Sequence, residues 1–209
     1  IFEGIDLSWN RVENGAAVGL LISEIEKNFD FKNPASSVPE LIKAYQLIQK
    51  INDDHWKKIK TEELKNIITG CLGLYLEAVS DTQELTPGSN FKIKFEAINR
   101  SIIPVKISEI NLNFDKNILE KNIDLQVNKS FIKTITSSIP FDYDYTNPYW
   151  LNEKETTGMY TVKNQKLIGI PDVIRNLNVI FNLEINGVTI PFERNIVYKY
   201  NDDAKGEIY

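Results

Sequence analysis

The spacing of apolar residues changes once along this chain, close to residue 85. Before that point apolar residues recur at every third or fourth position, which is the pattern of amphipathic helices. After it they alternate with polar residues, as in strands that bury one face. Pro87 and Gly88 form a turn signal just ahead of the first alternating run. We therefore expect a helical segment over residues 1–84 and a β domain over residues 86–209.

The helical segment is expected to open with an extended lead-in over residues 1–14 and two helices. The first helix is predicted over residues 15–29, with Asn14 as its cap, because asparagine satisfies free N–H groups at a helix start. The second is predicted to begin at Ser37, which has the capping-box spacing to Glu40.

The rest of the helical segment is predicted to hold two further pieces. A short helical piece is expected around Trp56, and a last helix is expected to begin at the cap Thr61 and to continue to Val79. Gly70 and Gly73 lie inside that last helix, where glycine lowers helix propensity. We expect them to allow the close approach of another element.

About seven short strands are predicted in the β domain. The alternating runs are residues 91–97, 105–112, 123–127, 131–139, 177–185, 188–192 and a last run near 196–200. Asn186 and Gly187 separate two of these runs, and this dipeptide is a strong hairpin signal because both residues accept a positive φ. Short strands with regular turns favour an immunoglobulin-like antiparallel β-sandwich. The predicted fold class is α+β by segments, with the helices first.

Composition excludes several classes of partner. The net charge is −5 and the basic residues alternate with acidic ones, which argues against nucleic acid. No apolar run is long enough for a membrane-spanning helix. Cys71 is the single cysteine, so no internal disulfide is possible, and its apolar neighbours predict a buried, inert thiol. Met159 is the single methionine, so we expect a processed product or a piece of a longer protein.

The sequence contains few of the residues that catalytic sites need. A catalytic zinc site needs at least three converging ligands, and a serine or cysteine triad needs a histidine, yet His55 is the single histidine. We expect His55 to pack beside Trp56. Asp142 and Asp144 could form a calcium site or an acid–base pair, although a solvated loop is the favoured interpretation. We therefore predict no catalytic, cofactor-binding or metal-binding residue; an independent enzyme using carboxylates is the least supported hypothesis.

An aromatic cluster between residues 143 and 160 offers a different kind of site. Its members are Tyr143, Tyr145, Tyr149, Trp150 and Tyr160. Aromatic faces stack on sugar rings and anchor protein interfaces. Three interpretations stay open: Trp150 fills the sandwich core with the tyrosines at its rim, the cluster forms a protein or domain interface, or it contacts carbohydrate.

A family resemblance rests on the order of several stretches along nearly the whole chain. They are residues 2–12, 28–31, 73–78 (Gly-Leu-Tyr-Leu-Glu-Ala), 86–88 (Thr-Pro-Gly), 97–101 (Ala-Ile-Asn-Arg-Ser), 147–151 (Asn-Pro-Tyr-Trp-Leu), 167–171 (Leu-Ile-Gly-Ile-Pro) and 197–207. In these the chain resembles the carboxy-terminal region of bacterial proteins whose amino-terminal domain is a PIG-L (LmbE-like) zinc-dependent N-acetylglucosaminyl deacetylase.

The resemblance implies a parent enzyme that removes acetyl groups from an N-acetylated sugar, with its zinc in the amino-terminal domain. The His-Pro-Asp-Asp and His-x-x-His motifs of that domain do not occur here, so no catalytic residue is carried over. The implied partners are the deacetylase domain and a glycan, and the implied location is periplasmic or extracellular. The entry at residues 86–88 also resembles accessory sandwich domains of secreted glycosidases.

Two functional hypotheses follow. In the first, the chain is a non-catalytic accessory region that stabilises the deacetylase or positions its glycan substrate. In the second, it is a protein-interaction or oligomerisation module that contacts no sugar. The five aromatic residues are the candidate contacts in both hypotheses.

Overall fold

The computed structural model describes residues 4–170 and 175–209, and there it shows three α-helices followed by a β-rich remainder. The helices are α1 (Ala16–Lys27), α2 (Val38–Ile48) and α3 (Asp54–Leu72). The strands are β1 (Tyr75–Ser80), β2 (Asn90–Ile98), β3 (Val105–Leu112), β4 (Asp115–Leu125), β5 (Phe131–Ser138), β6 (Asn178–Ile185), β7 (Val188–Tyr198), β8 (Tyr200–Asp202) and β9 (Gly206–Ile208). The fold is therefore α+β with a sheet-rich domain. Residues 1–3 of the predicted lead-in and Pro171 lie outside the described residues.

The first two helices form where expected, but their caps differ. α1 begins after Gly15, and Asn14 instead adopts a positive φ of 65° in the turn that leads into the helix. Ser37 precedes α2 in a helical conformation and its side chain makes no capping hydrogen bond in the described chain. The reason is the 3-10 helix Pro34–Ser37, which runs directly into α2 and places Ser37 inside a continuous helical turn.

The third and fourth predicted helical pieces are one helix, α3. Asp53 caps it: its Oδ1 accepts a hydrogen bond from the Trp56 backbone N–H at 3.0 Å. The prediction that Thr61 starts a new helix is wrong. The Thr61 hydroxyl instead accepts a hydrogen bond from Gln49 Nε2 at 2.8 Å and ties the end of α2 to the middle of α3.

The end of α3 is set by Gly73, which has a left-handed φ of 56°. The N–H groups of Gly73 and Leu74 donate to the Gly70 and Thr69 carbonyls, a common way to satisfy the last turn of a helix. The prediction that this helix continues to Val79 is wrong. From residue 75 alternate side chains are buried, as in a strand, and β1 forms there. The first strand of the sheet thus precedes residue 85.

The two glycines at this helix end have different roles. A Cβ on Gly70 would meet no atom within 4 Å, whereas a Cβ on Gly73 would lie 3.0 Å from the Arg100 Cβ. Arg100 also donates from Nη1 to the Gly73 carbonyl at 3.0 Å. Close approach therefore explains Gly73 but not Gly70.

In the described chain seven strands form one sheet in the order β4-β3-β6-β7-β1-β2-β5. Neighbouring strands are antiparallel except β1 and β7, which pair in parallel from Ala78 and Ile196 to Ser80 and Tyr198. β7 pairs with β6 over residues 188–195 and then with β1 over residues 196–198, so it joins the two halves of the sheet. β8 and β9 form a separate hairpin at the end of the chain, which the sequence pattern did not predict.

The sheet bends back on itself until it is nearly a barrel. The Phe95 ring on β2 packs edge-to-face on the Phe181 ring on β6, with 6.2 Å between centroids, although two strands separate β2 from β6 in the sheet order. The outermost strands also meet, because Lys133 of β5 forms a 2.7 Å ion pair with Glu120 of β4. The two halves of the sheet therefore enclose a common interior.

The strand predictions are confirmed in most places. β3 has the predicted bounds, and β2 and β6 agree to within one residue at each end. The predicted hairpin between β6 and β7 is confirmed, with φ of 52° at Asn186 and 77° at Gly187.

The helices pack on the sheet in one continuous core. Buried side chains of α1, α2 and α3 and of the strands belong to the same apolar cluster. At the contact of α3 with β7, the buried Lys65 places its Nζ 5.7 Å from the Phe192 ring centroid and 2.9 Å from Glu62 Oε1. None of the described helices has the length and apolar character to cross a lipid bilayer.

Candidate functional site

The connection between β5 and β6 carries all five predicted aromatic residues. It runs over residues 139–177 and contains two 3-10 helices, Tyr149–Leu151 and Gln165–Leu167. Such a long connection in a compact domain is unusual, and connections of this kind are common places for binding residues. It is therefore the first region to inspect for a site.

A cleft of 160 Å³ lies within this connection, and we call it the tyrosine cleft. Among the described residues, its lining side chains are aromatic, aliphatic, amide or hydroxyl groups, all of them neutral. They belong to Tyr145, Thr146, Asn147, Tyr149, Asn152, Leu167, Ile170 and Asn176. Tyr145 is 67% exposed, so its ring is free to cover a ligand from one side.

One wall of the tyrosine cleft is built around Tyr149. Its hydroxyl accepts a hydrogen bond from the Gly169 N–H at 3.3 Å, which joins the two 3-10 helical regions. The Trp150 ring packs edge-to-face on the Tyr149 ring, with 5.0 Å between centroids. These contacts hold Tyr149 in place, so little side-chain entropy remains to be lost when a ligand binds.

Asn176 is another lining residue that is held in place. Its backbone carbonyl accepts two hydrogen bonds, from Asn113 Nδ2 at 2.6 Å and from the Tyr143 hydroxyl at 2.9 Å. The Tyr143 ring packs on the Phe114 ring at 6.0 Å. Burial raises the pKa of Tyr143, so this hydroxyl keeps its proton and donates at neutral pH. Tyr143 therefore positions the cleft wall without lining the cleft.

The five candidate residues thus have different positions. Tyr145 and Tyr149 line the cleft, Trp150 supports Tyr149, and Tyr143 packs against the core. Tyr160 is 61% exposed and lies outside the cleft lining. The interpretation in which Trp150 fills the core is wrong: its side chain is half-buried in the loop, and Tyr143 is the residue that reaches the core.

Aromatic content alone missed the polar part of the cleft. Asn147, Asn152 and Asn176 supply amide groups, while Leu167 and Ile170 supply the apolar floor. A signal did exist for several of them, because residues 147–151 and 167–171 are two of the stretches that carry the family resemblance.

The candidate metal ligands do not converge. Over residues 4–170 and 175–209, no group of three or more His, Cys, Asp and Glu side chains could hold a metal ion. Asp142 and Asp144 are exposed and lie outside the strands. The His55 ring packs edge-to-face on Trp56 at 5.2 Å, as predicted. These carboxylates, the single histidine and the single cysteine therefore form no common donor set among the described residues.

The single cysteine, predicted to be buried and inert, is half-buried. Cys71 is on the last turn of α3 and packs against the edge of the core. Burial raises its pKa, which lowers the fraction of reactive thiolate at neutral pH.

Comparisons with known proteins give little guidance. No protein-family model and no curated protein matches the chain. Among solved structures, the sporulation control protein Spo0M from Bacillus subtilis is similar over 60% of this chain and 49% of its own, with 11% identity and a TM-score of 0.35. The alkylpurine DNA glycosylase AlkC from Pseudomonas fluorescens, bound to DNA containing an abasic site analog, is similar over 81% of this chain and 48% of its own, with 9% identity and a TM-score of 0.29.

The chain spans about half the length of both proteins. At these TM-scores neither similarity carries an argument about fold or function.

Proposed function

We propose that this chain is a non-catalytic accessory region of a zinc-dependent N-acetylglucosaminyl deacetylase of the PIG-L type, and that it positions a glycan in the tyrosine cleft. The observation that carries the proposal is the chemistry of the cleft, in which two tyrosine rings stand among three asparagine amides and none of the described lining residues is charged. The zinc ion and the hydrolytic step belong to a separate domain, and no catalytic step is assigned to the residues of this chain.

The cleft chemistry suits a neutral sugar. A tyrosine ring presents a flat apolar face to the C–H groups of a pyranose, and asparagine amides donate and accept hydrogen bonds with hydroxyl and acetamido groups. A cleft of 160 Å³ is small beside the roughly 300–1,000 Å³ of sites that enclose a drug-sized ligand. It fits one sugar unit of a longer chain, with the neighbouring units in solvent.

An immunoglobulin-like sandwich is part of the proposal. It is supported by the contact of the Phe95 ring on β2 with the Phe181 ring on β6, which packs side chains of two sets of antiparallel strands against each other. Accessory domains of exported glycan-processing enzymes often have this architecture, which is why we place the protein in the periplasm or outside the cell. Absence of an NMR contact between the Phe95 and Phe181 rings would contradict the sandwich.

A second function, an interaction or oligomerisation module, is favoured by exposed apolar side chains of the same connection. Phe141 is 90% exposed and Met159 is 71% exposed. Exposed apolar side chains of this size are available for contacts with another protein. In this alternative Tyr145 and Tyr160 both contribute to the interface and no sugar is bound.

The test measures binding of an N-acetylglucosamine oligomer by isothermal titration calorimetry, with the Tyr145→Ala variant and the control Tyr160→Ala. Loss of the Tyr145 ring should weaken binding about two- to thirteenfold, since one aromatic contact contributes about 0.5–1.5 kcal/mol. Tyr160 is similarly exposed but outside the cleft, so its removal should change the Kd less than twofold.

Two results would reject the glycan proposal. The first is absence of binding to any of a panel of neutral oligosaccharides, and the second is an equal loss of affinity in both variants. A mass that rises with protein concentration in light scattering, and falls in both variants, would instead favour the interaction module.

A further inference from the structure

We propose that a second cleft, between the lead-in and the start of α3, binds a small organic anion. Its walls are formed by Trp9, Arg11, Val12, Trp56 and Lys60, with Leu7 at the rim and a volume of 200 Å³, and we call it the Trp56 cleft. Arg11 and Lys60 would hold the carboxylate or phosphate of the ligand, and the indole rings would contact its apolar part. This inference does not depend on the glycan proposal, because it concerns different residues and a different chemistry.

Two cationic groups converge on one indole ring in this cleft. The Arg11 guanidinium carbon lies 4.2 Å from the Trp56 ring centroid, and Lys60 Nζ lies 5.8 Å from the same centroid. A cation held over an aromatic face keeps its N–H donors available at its edge, and the guanidinium group matches a carboxylate or phosphate in a bidentate way. The ring thus orients both charges toward the same small space.

Arg11 has no carboxylate partner within ion-pair distance among the residues that the structure describes. Asp6 interacts with Arg11 electrostatically, and after the hydrogen bonds from Ser8 the guanidinium charge also helps to lower the pKa of the Asp6 carboxyl. Asp6 is itself engaged, because its Oδ1 accepts a hydrogen bond from the Ser8 N–H at 2.8 Å, and hydrogen bonds from Ser8 lower the pKa of this carboxyl. Since no described carboxylate lies within ion-pair distance, the exposed guanidinium group of Arg11 can accept a ligand carboxylate or phosphate.

Lys60 does have a partner, but one that a ligand can replace. Its Nζ lies 2.7 Å from Glu63 Oε2, in an ion pair between positions three residues apart on α3. The Glu63 side chain is 54% exposed, and exposed pairs of this kind contribute only about 0–1 kcal/mol. A carboxylate that contacted Lys60 and Arg11 together would gain two charged hydrogen bonds against this single weak pair.

The remaining walls explain why the ligand needs an apolar part. Val12 is buried at the floor of the cleft, and Trp9 packs closely over α1, since a Cβ on Gly19 would lie 3.0 Å from the Trp9 Cβ. These contacts fix the indole ring of Trp9, and the Trp56 backbone is fixed by its hydrogen bond to the Asp53 cap. A hydrated inorganic ion would leave this apolar surface in water, whereas an aromatic or aliphatic acid would cover it.

The test uses the whole chain with three probes: benzoate, phenyl phosphate and the neutral isostere benzamide. The indole N–H signals of Trp9 and Trp56 should shift and saturate in NMR titrations with at least one anion, while the Trp150 signal stays in place. Benzamide should produce no saturable shift. The tighter of the two anions tells whether the natural ligand carries a carboxylate or a phosphate.

Two variants and one matched control complete the design. Arg11→Gln should raise the Kd about tenfold and Lys60→Gln by a similar or smaller factor, because each removes one charged hydrogen-bond donor. Lys43→Gln removes an equivalent ion pair with Glu40, also 2.7 Å long and three residues apart, but on α2, and should change the Kd less than twofold.

The proposal is wrong if neither anion binds saturably, or if benzamide binds as tightly as benzoate. It is also wrong if Arg11→Gln and Lys60→Gln both bind within twofold of the parent chain while keeping its circular dichroism spectrum.

Discussion

Replacing Asn99 by alanine should lower the free energy of unfolding more than replacing Asn90, the other asparagine of β2 and the turn that follows it. Asn99 is fully buried just after β2, in the turn that leads to β3. Its Nδ2 donates to the Ile103 carbonyl at 2.8 Å. Its Oδ1 accepts from the Ser101 N–H at 3.0 Å and from the Ser101 hydroxyl at 2.9 Å. One side chain therefore satisfies three polar groups of a buried turn.

The expected loss is about 3 kcal/mol in the free energy of unfolding, because each net hydrogen bond contributes about 1 kcal/mol and the groups left behind are buried. For a chain of this size that loss lowers the Tm by about 6–12 °C. Ser101→Ala should cost less, about 1–2 kcal/mol. It removes the hydroxyl that donates to Asn99 Oδ1 and accepts from the Ile103 N–H at 3.2 Å, but it leaves the two other bonds of Asn99 in place. The double variant should lose less than the sum, because both changes break the same bond between Ser101 Oγ and Asn99 Oδ1.

Urea unfolding followed by circular dichroism measures all these variants, with Asn90→Ala as the control. Asn90 is exposed at the other end of β2, so its replacement should change the free energy by less than about 0.5 kcal/mol. A loss below about 1 kcal/mol for Asn99→Ala, or additive effects of the two single changes, would refute the hydrogen-bond network as the source of stability in this turn.

Three further changes test the end of α3 and the strand beyond it. Gly70→Ala should stabilise the protein by about 0.5–1 kcal/mol in urea unfolding, because Gly70 is an exposed helical position with open space around it. Gly73→Ala should destabilise it by about 1–2 kcal/mol in the same assay, since a left-handed φ and a contact with Arg100 both oppose a Cβ; equal effects at the two glycines would contradict this account. Burial and a hydrogen bond to Glu77 raise the pKa of Tyr75 to about 12 in the folded chain. As the pH rises, the unfolded chain therefore loses this proton first, and the free energy of unfolding falls between about pH 10 and 12. Tyr75→Phe should reduce the slope of stability against pH above 10, and an unchanged slope would argue against Tyr75 as its source.

The strands could be predicted because their signal is local. A strand that buries one face alternates over its whole length, and β3 carries that alternation between Val105 and Leu112 with few interruptions. The hairpin at Asn186 is likewise local, because the two turn residues alone supply the positive φ values that the turn needs.

The end of α3 could not be predicted in the same way, because two patterns overlap there. Leu64, Ile68 and Leu72 follow the helical spacing, while Leu72, Leu74 and Leu76 follow the strand spacing, and all of them are buried. Gly73 ends the helix because it adopts a left-handed conformation. A glycine inside an apolar run does not by itself indicate whether a helix will end there.

The sequence predicts the region of the candidate site, but not which residues line it. Aromatic content marked the connection between β5 and β6, yet the residues that line the cleft depend on contacts between distant positions. The carbonyl of Asn176 is fixed by Asn113, 63 residues earlier, and Tyr149 is fixed by Gly169, 20 residues later. No local pattern distinguishes Tyr145, which faces the cleft, from Tyr143, which faces the core.

The two clefts differ in charge, and this difference separates the two proposals in a single experiment. The tyrosine cleft is neutral, so sugar binding there should be nearly independent of salt. The Trp56 cleft depends on the charges of Arg11 and Lys60, and Arg11 is exposed. Anion binding there should therefore weaken as salt is added, because the Debye length falls from about 10 Å at 0.1 M to about 3 Å at 1 M. Because the chain as a whole carries a charge of −5, a non-specific attraction of anions cannot produce the same salt dependence. Salt-dependent anion binding that survives Tyr145→Ala, together with salt-independent glycan binding that survives Arg11→Gln, would therefore establish two separate sites on one chain.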